Sequence, residues 1–366
     1  KTGFLNTYQV DGRNFLGDGG TLKPNFWRAM TDNDMGTNFQ NRLSVWKNPT
    51  MTLKSLEVEK KMNSLTAVYD LPEVGGQLCL VYHVAADGAL HVSMDMEFKE
   101  GSKAPQLPRF GMLMQLPYEM DKSVFYGRGP IENYADRKLS QRIGCYEQTA
   151  DKQFFPYIRP QETGTKSDIR WWQQTDNSGR GFRVLFDEAA FSASALHYNI
   201  SDLDEGSEKH QRHSYQVPLS KYTNLTLDAA MMGVGGIDSW GSEPLKKYQL
   251  PAENLCGWRC RCMSFTHICW ACSTHSAQQA ALGSHYYRPR SHVCQWQARH
   301  GTATGVSVNE CGVQPLCTAR HASCGGAGSS RYRFHVRLQL DQTYHKQLLL
   351  QAPASEQREH DGAQKL

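Results

Sequence analysis

The sequence predicts an all-β fold, arranged as a large antiparallel sandwich. Apolar and polar residues alternate at period two in many short runs of residues 1–250, which is typical of strands with one buried face. Clusters of Gly, Pro, Asn and Asp separate these runs and indicate turns. No long apolar stripe of helical period competes with them. Many antiparallel strands with few helices therefore favour a sandwich.

The clearest element is a β-hairpin predicted across residues 77–98. Alternation is cleanest at residues 90–98 and recurs at residues 78–84, and Ala86-Asp87-Gly88 supplies a short turn between them. Residues 201–213 have a capping residue and mixed charge, and they predict a short solvated helix or loop. Similar alternation predicts further strands at residues 64–70, 110–116, 181–187, 191–198 and 223–232.

Composition divides the chain near residue 256. From Cys256 onward there are 12 Lys and Arg against 5 Asp and Glu, a net charge of +7, which leaves −3 for residues 1–255. Nine of the 11 cysteines also lie after residue 255. We therefore predict a sandwich domain at residues 1–254 and a Cys/His/Arg-rich, irregular or disordered tail at residues 255–366. The acidic first part argues against a nucleic-acid partner.

The first residues and the hydropathy of the chain bear on membrane association and on the cellular compartment. No apolar run approaches the roughly 18 residues of a membrane span, so no membrane partner is expected. Lys1 is neither an initiator Met nor part of a signal-peptide pattern, and we expect the chain to be cut from something longer. The compartment stays open between cytoplasm and periplasm.

Specific motifs occur in order along the first 250 residues. They are residues 24–36 (PNFWRAMTDNDMG), residues 126–137 (YGRGPIENYADR) followed by residues 157–164 (YIRPQETG), and residues 232–240 (MGVGGIDSW). Together they resemble the C-terminal (fifth, small-chain) domain of glycoside hydrolase family 2 β-galactosidases, which usually have Pro at the place of Met30. Ordered motifs at family spacing are far more specific than any one alone.

The resemblance implies a fold and an activity. The fold would be the galactose mutarotase-like supersandwich, and the domain would follow a (β/α)₈ barrel that supplies both catalytic carboxylates of a retaining glycosidase. The parent enzyme would hydrolyse terminal β-D-galactose residues in β-galactosides, with no catalytic residue in this chain. The expected partners are the β-galactoside sugar, that barrel and further copies in a homo-oligomer. The resemblance also suggests Na⁺ and Mg²⁺ for the complete enzyme, with ligands from other domains and no cofactor in this chain.

Trp240 is the first candidate substrate-binding residue. The resemblance places the Trp of Asp-Ser-Trp at the substrate site, where an indole face can stack on the apolar face of a sugar ring. Gly233, Gly235, Gly236 and Gly241 would let this loop bend. The alternative is a core position, which we predict for Trp27, Trp46, Trp171 and Trp172.

Glu132 and Glu162 are the other candidate substrate-binding residues, since each lies in a motif rich in Gly, Pro and aromatic residues. The alternative is a structural role, in which the motif's carboxylates, amides and arginines satisfy one another. A stand-alone sugar-binding or aldose-epimerase-like module is a further alternative. An epimerase would need a carboxylate base and a His acid across one sugar, and Glu162 with His197, His210 or His213 is the pairing that the sequence offers.

The tail departs from the family, which has one more alternating strand after Ala252 and then stops. Cys269 and Cys272 form one Cys-x-x-Cys pair flanked by His267 and His275, but the second pair that a structural zinc site usually needs is missing. A shifted reading frame or a fused foreign sequence explains the composition better, and sequencing the coding DNA after Asn254 tests this. Residues 334–340 alternate as a strand would and are a candidate replacement for the last strand.

Overall fold

The computed structural model describes residues 2–10, 12–86, 88–186, 190–204, 212–236, 238, 241–253 and 255–265, and the backbone of two later strands. These residues all belong to one compact unit, made of residues 1–267 and 333–366. The first nine strands are β1 (Leu5–Val10), β2 (Arg13–Asn14), β3 (Leu22–Asn25), β4 (Thr52–Glu59), β5 (Ser64–Leu71), β6 (Gly76–Val84), β7 (Leu90–Phe98), β8 (Arg109–Pro117) and β9 (Lys122–Gly129). The remaining strands are β10 (Arg142–Thr149), β11 (Lys166–Ile169), β12 (Trp171–Thr175), β13 (Gly181–Phe186), β14 (Phe191–Leu196), β15 (Tyr222–Met231), β16 (Leu255–Phe265), β17 (His335–Leu340) and β18 (Leu348–Gln351).

Helices are short and few among the described residues. The α-helices are α1 (Asp32–Gly36), α2 (Phe39–Arg42), α3 (Ala150–Gln153) and α4 (Ile200–Leu203). The 3₁₀ turns are Ser44–Trp46, Lys60–Met62, Pro72–Val74, Ser214–Gln216 and Lys246–Tyr248. No helix in this part of the chain is long and apolar enough to cross a membrane.

The described strands form two nine-stranded antiparallel sheets, which confirms the all-β fold. The first sheet has the order β11-β14-β15-β8-β3-β1-β17-β18, with β2 paired to β1. The second has the order β10-β9-β12-β13-β16-β7-β6-β5-β4. Tyr8 and Met112 of the first sheet share one buried apolar cluster with Tyr82 and Met94 of the second. This shared cluster makes the two sheets a sandwich, and it supplies the apolar burial that stabilises the fold.

The strands that alternation predicts are present. The hairpin at 77–98 is the antiparallel pair β6 and β7, with Leu80 opposite Met94. The other predicted runs correspond to β5, β8, β13, β14 and β15. Trp27, Trp46, Trp171 and Trp172 are all buried, as expected of core residues. In the segment 201–213 the structure has the end of α4, and His213 is the N-cap of the 3₁₀ turn that begins at Ser214. Residues 205–211 lie outside the described residues.

The second sheet continues past the predicted domain boundary at residue 254. Strand β16 pairs with β13 on one side and with β7 on the other, which makes it a central strand. Cys260 and Cys262 are buried in the shared core. The unusual Cys and Arg content prevents the prediction of this strand from composition, because a buried Cys behaves as a small apolar residue.

The alternating run near residue 340 forms β17, which pairs with β1 in the first sheet and with β18. Strand β16 holds the central position in the other sheet, and the replacement of the last family strand by β17 stays a prediction. The candidate zinc residues His267, Cys269, Cys272 and His275 lie outside the described residues.

Candidate functional site

The motif segments of the sequence meet around one cleft with a volume of about 230 Å³. Each segment contributes to the wall, although they are separated by up to two hundred residues along the chain. The residues that line the cleft are Thr31, Asp32, Asn33, Tyr134, Arg137, Tyr157, Gln161, Glu162, Val234 and Gly235.

Arg28 joins the first motif to the last. Its guanidinium is fully buried and donates hydrogen bonds to Asp34, with Nη1–Oδ2 at 2.5 Å and Nη2–Oδ1 at 3.0 Å, and to the carbonyl oxygen of Gly233 at 3.2 Å. Burial opposes the charge of this group, but Asp34, together with Glu162 and Tyr134, outweighs burial and raises the pKa of Arg28. Asp34 also accepts from the backbone N–H of Thr31 at 2.7 Å, at the start of α1. The charge pair therefore holds two walls of the cleft together.

Asp136 joins the central motif to the same loop. Its carboxylate accepts from the backbone N–H groups of Val234 at 3.1 Å and Gly235 at 2.9 Å. A Cβ atom at Gly233 would lie 2.4 Å from the Asp136 carboxylate, and Gly235 has a φ of +77°. Glycine is needed at both positions, by close approach at one and by left-handed backbone at the other. Trp240 follows Gly236 by four residues in the sequence and lies outside the described residues.

Glu132 lies behind the cleft wall and is satisfied by the chain itself. Oε1 accepts from Arg137 Nη2 at 2.7 Å and from the Tyr157 hydroxyl. Oε2 accepts from Thr163 Oγ1 at 2.9 Å and from the backbone N–H of Gly164 at 2.8 Å. Four donors on one buried carboxylate favour the structural interpretation of Glu132.

Glu162 forms part of the cleft wall and belongs to a buried charge cluster. Thr165 Oγ1 donates to its Oε1 at 2.7 Å, and Arg109 Nη2 lies 3.5 Å from the same oxygen. Burial raises the pKa of the Glu162 carboxyl, although Arg109 and Thr165 act in the opposite direction. Arg109 Nε also lies 3.3 Å from Asp228, and burial raises the pKa of Asp228 to about 7. The Arg109 guanidinium is therefore the cationic partner of two buried carboxyl groups, those of Glu162 and Asp228.

Sequence reasoning missed Arg109 and Asp228. They lie on β8 and β15, which are adjacent strands, but no motif or spacing in the sequence links them to each other or to Glu162. A charged residue at a position that faces the core is the only available signal, and it does not identify the partner.

His197 lies away from the cleft. Its Nδ1 is 3.1 Å from Asp151, and its Nε2 is 3.2 Å from the carbonyl oxygen of Tyr118 and 3.1 Å from Thr223 Oγ1. Its ring also stacks on Tyr118, with centroids 3.8 Å apart. Both ring nitrogens thus have partners outside the cleft, and the structure does not bring His197 to Glu162.

The other histidines give the epimerase pairing no support. His213 is exposed, its ring lies 5.7 Å from that of Tyr215, and it does not line the cleft of Glu162. His210 lies outside the described residues. Within the described part of the chain, no group of three or more His, Cys, Asp or Glu side chains could hold a metal ion.

The fold and the cleft define an all-β domain with one cleft lined by the motif segments. Residues 1–262 match the family model of the β-galactosidase small chain, and the chain belongs to that family. The β-galactosidase of Priestia megaterium is 31% identical over 257 residues, which are 69% of this chain and 24% of that protein. The β-galactosidase of Lactobacillus delbrueckii subsp. bulgaricus is 35% identical over 62% of this chain and 22% of its own length. BgaC of Bifidobacterium adolescentis is 34% identical over 62% of this chain and 22% of its own.

The chain thus spans about a quarter of the length of the curated relatives that it matches. Among solved structures, the galactosidase domain of the α-galactosidase-sucrose kinase AgaSK covers 71% of this chain and 30% of its own, at 10% identity. Its TM-score of 0.28 is too low to bear on fold or function.

Proposed function

We propose that this chain is the part of a β-galactosidase that completes its sugar site, in an enzyme that hydrolyses terminal β-D-galactose residues in β-galactosides. The observation that carries the proposal is the convergence of all the motif segments on one cleft, at the base of the loop that leads to Trp240. The named relatives are β-galactosidases, and each is about four times as long as the matched region.

The catalytic carboxylates are proposed to come from the barrel in the rest of the enzyme. A retaining glycosidase needs an acid/base and a nucleophile carboxylate about 5–5.5 Å apart. Glu132 is held by four donors of its own chain, and Glu162 shares Arg109 with Asp228. Carboxylates engaged in this way suit binding and positioning better than nucleophilic attack.

Each candidate residue has a separate proposed part. The Trp240 indole stacks on the apolar face of the galactose ring, and the Glu162 carboxyl hydrogen-bonds a sugar hydroxyl at the cleft. Glu132 acts indirectly, because its bonds to Thr163 and Gly164 fix the segment that carries Glu162. Na⁺ and Mg²⁺ remain an expectation for the complete enzyme, and we assign them no ligand in this chain.

The test of this proposal uses the complete enzyme. Replacing Trp240 by Ala removes the stacking surface, so kcat/KM for a chromogenic β-galactoside is expected to fall by about tenfold or more. Trp240→Phe keeps a ring and is the matched control, with a smaller loss. Equal kcat/KM for Trp240→Ala and the parent enzyme would overturn the proposed part of Trp240.

The second part of the test uses the 366-residue chain by itself. It is expected to show no turnover of the same galactoside, and robust hydrolysis would contradict an external barrel. A stand-alone sugar-binding module is the competing proposal, in which the ten lining residues of the cleft bind the sugar without the rest of the enzyme. Galactose-induced quenching of tryptophan fluorescence that disappears in Trp240→Ala, without any effect on the complete enzyme, would favour that module.

A further inference from the structure

The cleft has the size and the polarity of a site for one small neutral molecule. Its volume of about 230 Å³ lies below the roughly 300–1,000 Å³ of drug-sized ligand pockets. Its wall combines the rings of Tyr134 and Tyr157 with amide, hydroxyl and carboxyl groups. Tyrosine rings offer apolar faces and polar tips together, which suits a ring that carries hydroxyl groups.

The charges in the wall are balanced within the chain. Asp32 lies 3.7 Å from Arg159, Arg137 is paired with Glu132, and Glu162 is paired with Arg109. A site for an ion would leave charge of one sign for the ligand to neutralise. Paired charges instead favour a neutral ligand.

Tyr134 is held in a fixed orientation at this cleft. Its backbone pairs with that of Arg137, through N–H···O contacts of 3.2 and 2.9 Å. The Arg137 guanidinium also lies over the Tyr134 ring, 5.1 Å from its centroid, and Glu132 fixes that guanidinium. The ring is therefore positioned before any ligand arrives, which reduces the entropy lost on binding.

The hydroxyl of Tyr134 has no hydrogen-bond partner among the described residues, although the residue is only 3% exposed. Burial, followed by the neighbouring charges of Glu162 and Glu132, raises its pKa well above the usual value, so the group stays a neutral O–H donor. Tyr134 and Glu162 both line the cleft, so this hydroxyl belongs to a side chain of the cleft wall. A buried hydroxyl without a partner is costly unless something binds it.

We propose that the cleft is a monosaccharide subsite in which the Tyr134 hydroxyl, beside Glu162, donates a hydrogen bond to a hydroxyl of one neutral pyranose ring. The identity of the sugar as galactose rests on the proposed function. The size of the cleft, its balanced charges and its unpaired hydroxyl are independent of that choice.

Calorimetric titration of the full chain with D-galactose tests the subsite, with D-glucose as a second probe. The unchanged chain is expected to bind galactose saturably, and Tyr134→Phe is expected to weaken binding by about three- to tenfold, the effect of one lost neutral hydrogen bond. Tyr69→Phe is the matched control. Its hydroxyl is also buried without a hydrogen-bond partner in the described part of the chain, but it lies in the core and not in the cleft wall.

Neither substitution should lower the melting temperature of the free chain, because each removes a hydroxyl that lacks a partner. Absence of saturable binding by the unchanged chain, or equal affinity in Tyr134→Phe, would overturn the subsite. An equal loss in Tyr69→Phe would overturn it too, since the effect would then come from the core. The proposed function is tested separately, by the kinetics of Trp240→Ala in the complete enzyme.

Discussion

Lys166 carries an ammonium group in the interior next to the Glu162 segment. The residue is 1% exposed, and its Nζ donates to the carbonyl oxygen of Gly164 at 2.6 Å. Burial lowers the pKa of Lys166 from 10.5 to about 7, although Glu132 acts in the opposite direction. The side chain is therefore largely neutral in the folded protein above neutral pH, where the unfolded chain still binds the proton.

This difference makes stability depend on pH. The folded pKa lies below the unfolded one, so the contribution of Lys166 is complete above pH 10.5 and is lost as pH falls toward 7. The free energy of unfolding should rise by about 1.4 kcal/mol per pH unit within that window. We expect denaturant titrations at about pH 7.5 and about pH 9 to differ by about 2 kcal/mol in the unchanged chain, and to differ much less in Lys166→Met.

The matched control for that experiment is Lys60→Met, at an exposed position of a 3₁₀ turn. It should keep the pH slope of the unchanged chain. A slope that persists in Lys166→Met would show that another group causes it, and Asp228 is not that group. Its pKa is raised from 3.8 to about 7, so its contribution falls as pH rises from about 4 to about 7.

Residues in the motifs can be predicted from the sequence more readily than the residues that contact them. Glu132 and Glu162 were predicted because they lie in Gly-rich and aromatic segments, and the structure brings both segments to the cleft region. Tyr134 lies in the same motif but was missed, because a buried hydroxyl without a partner is a property of three-dimensional packing. The ion pair of Arg109 with Glu162 could not be predicted for the same reason.

Strands could be predicted where one face is buried and the other is not. Strand β6 alternates strictly between buried and half-buried residues, so its sequence alternates as well. Strand β12 is buried at every position, with Gln173 and Gln174 inside the protein. Gln174 is tolerated there because it donates to the carbonyl oxygen of Met120 and accepts from Ser123 and Trp172. Such a strand has no polar face, and period-two counting passes over it.

Strand β16 supplies the next prediction, because it lies between two strands of the second sheet. A chain ending at residue 254 lacks β16, which leaves β13 and β7 with unpaired edges and removes Cys260 and Cys262 from the core. We expect this shortened chain to aggregate or to lose its cooperative unfolding transition. A chain ending at residue 267 keeps β16 and is the matched control, with a cooperative transition in denaturant followed by near-ultraviolet circular dichroism. Equal unfolding midpoints for the two would contradict a central structural role for β16.

An exposed apolar surface lies beside the mouth of the cleft. We call it the apolar rim and define it by Ile131, Phe155, Ile158 and Tyr215, which are 61%, 53%, 86% and 84% exposed. Its members lie next to contacts of Tyr157 in the cleft wall. The rings of Phe155 and Tyr157 lie 4.6 Å apart, Ser214 donates to the carbonyl oxygen of Tyr157, and the Tyr157 hydroxyl donates to Glu132, the residue after Ile131. Contiguous exposed apolar residues usually mark an interaction surface. Because the chain spans about a quarter of its relatives, we expect the rest of the enzyme to cover this rim.

The apolar rim gives a prediction for the complete enzyme. Ile158→Asp would place an unpaired charge in the covered surface, at a cost of about 2 kcal/mol or more, so the half-life of activity at a fixed elevated temperature is expected to shorten by about tenfold or more. Met62→Asp is the matched control, because Met62 is 57% exposed and lies beside β4, at the opposite edge of the second sheet from β10. Both substitutions should leave the melting temperature of the chain alone unchanged, since both side chains are already in water. Equal half-lives for the two variants in the complete enzyme would mean that the rest of the enzyme leaves the rim uncovered, whereas a selective loss in Ile158→Asp would place the interface next to the cleft.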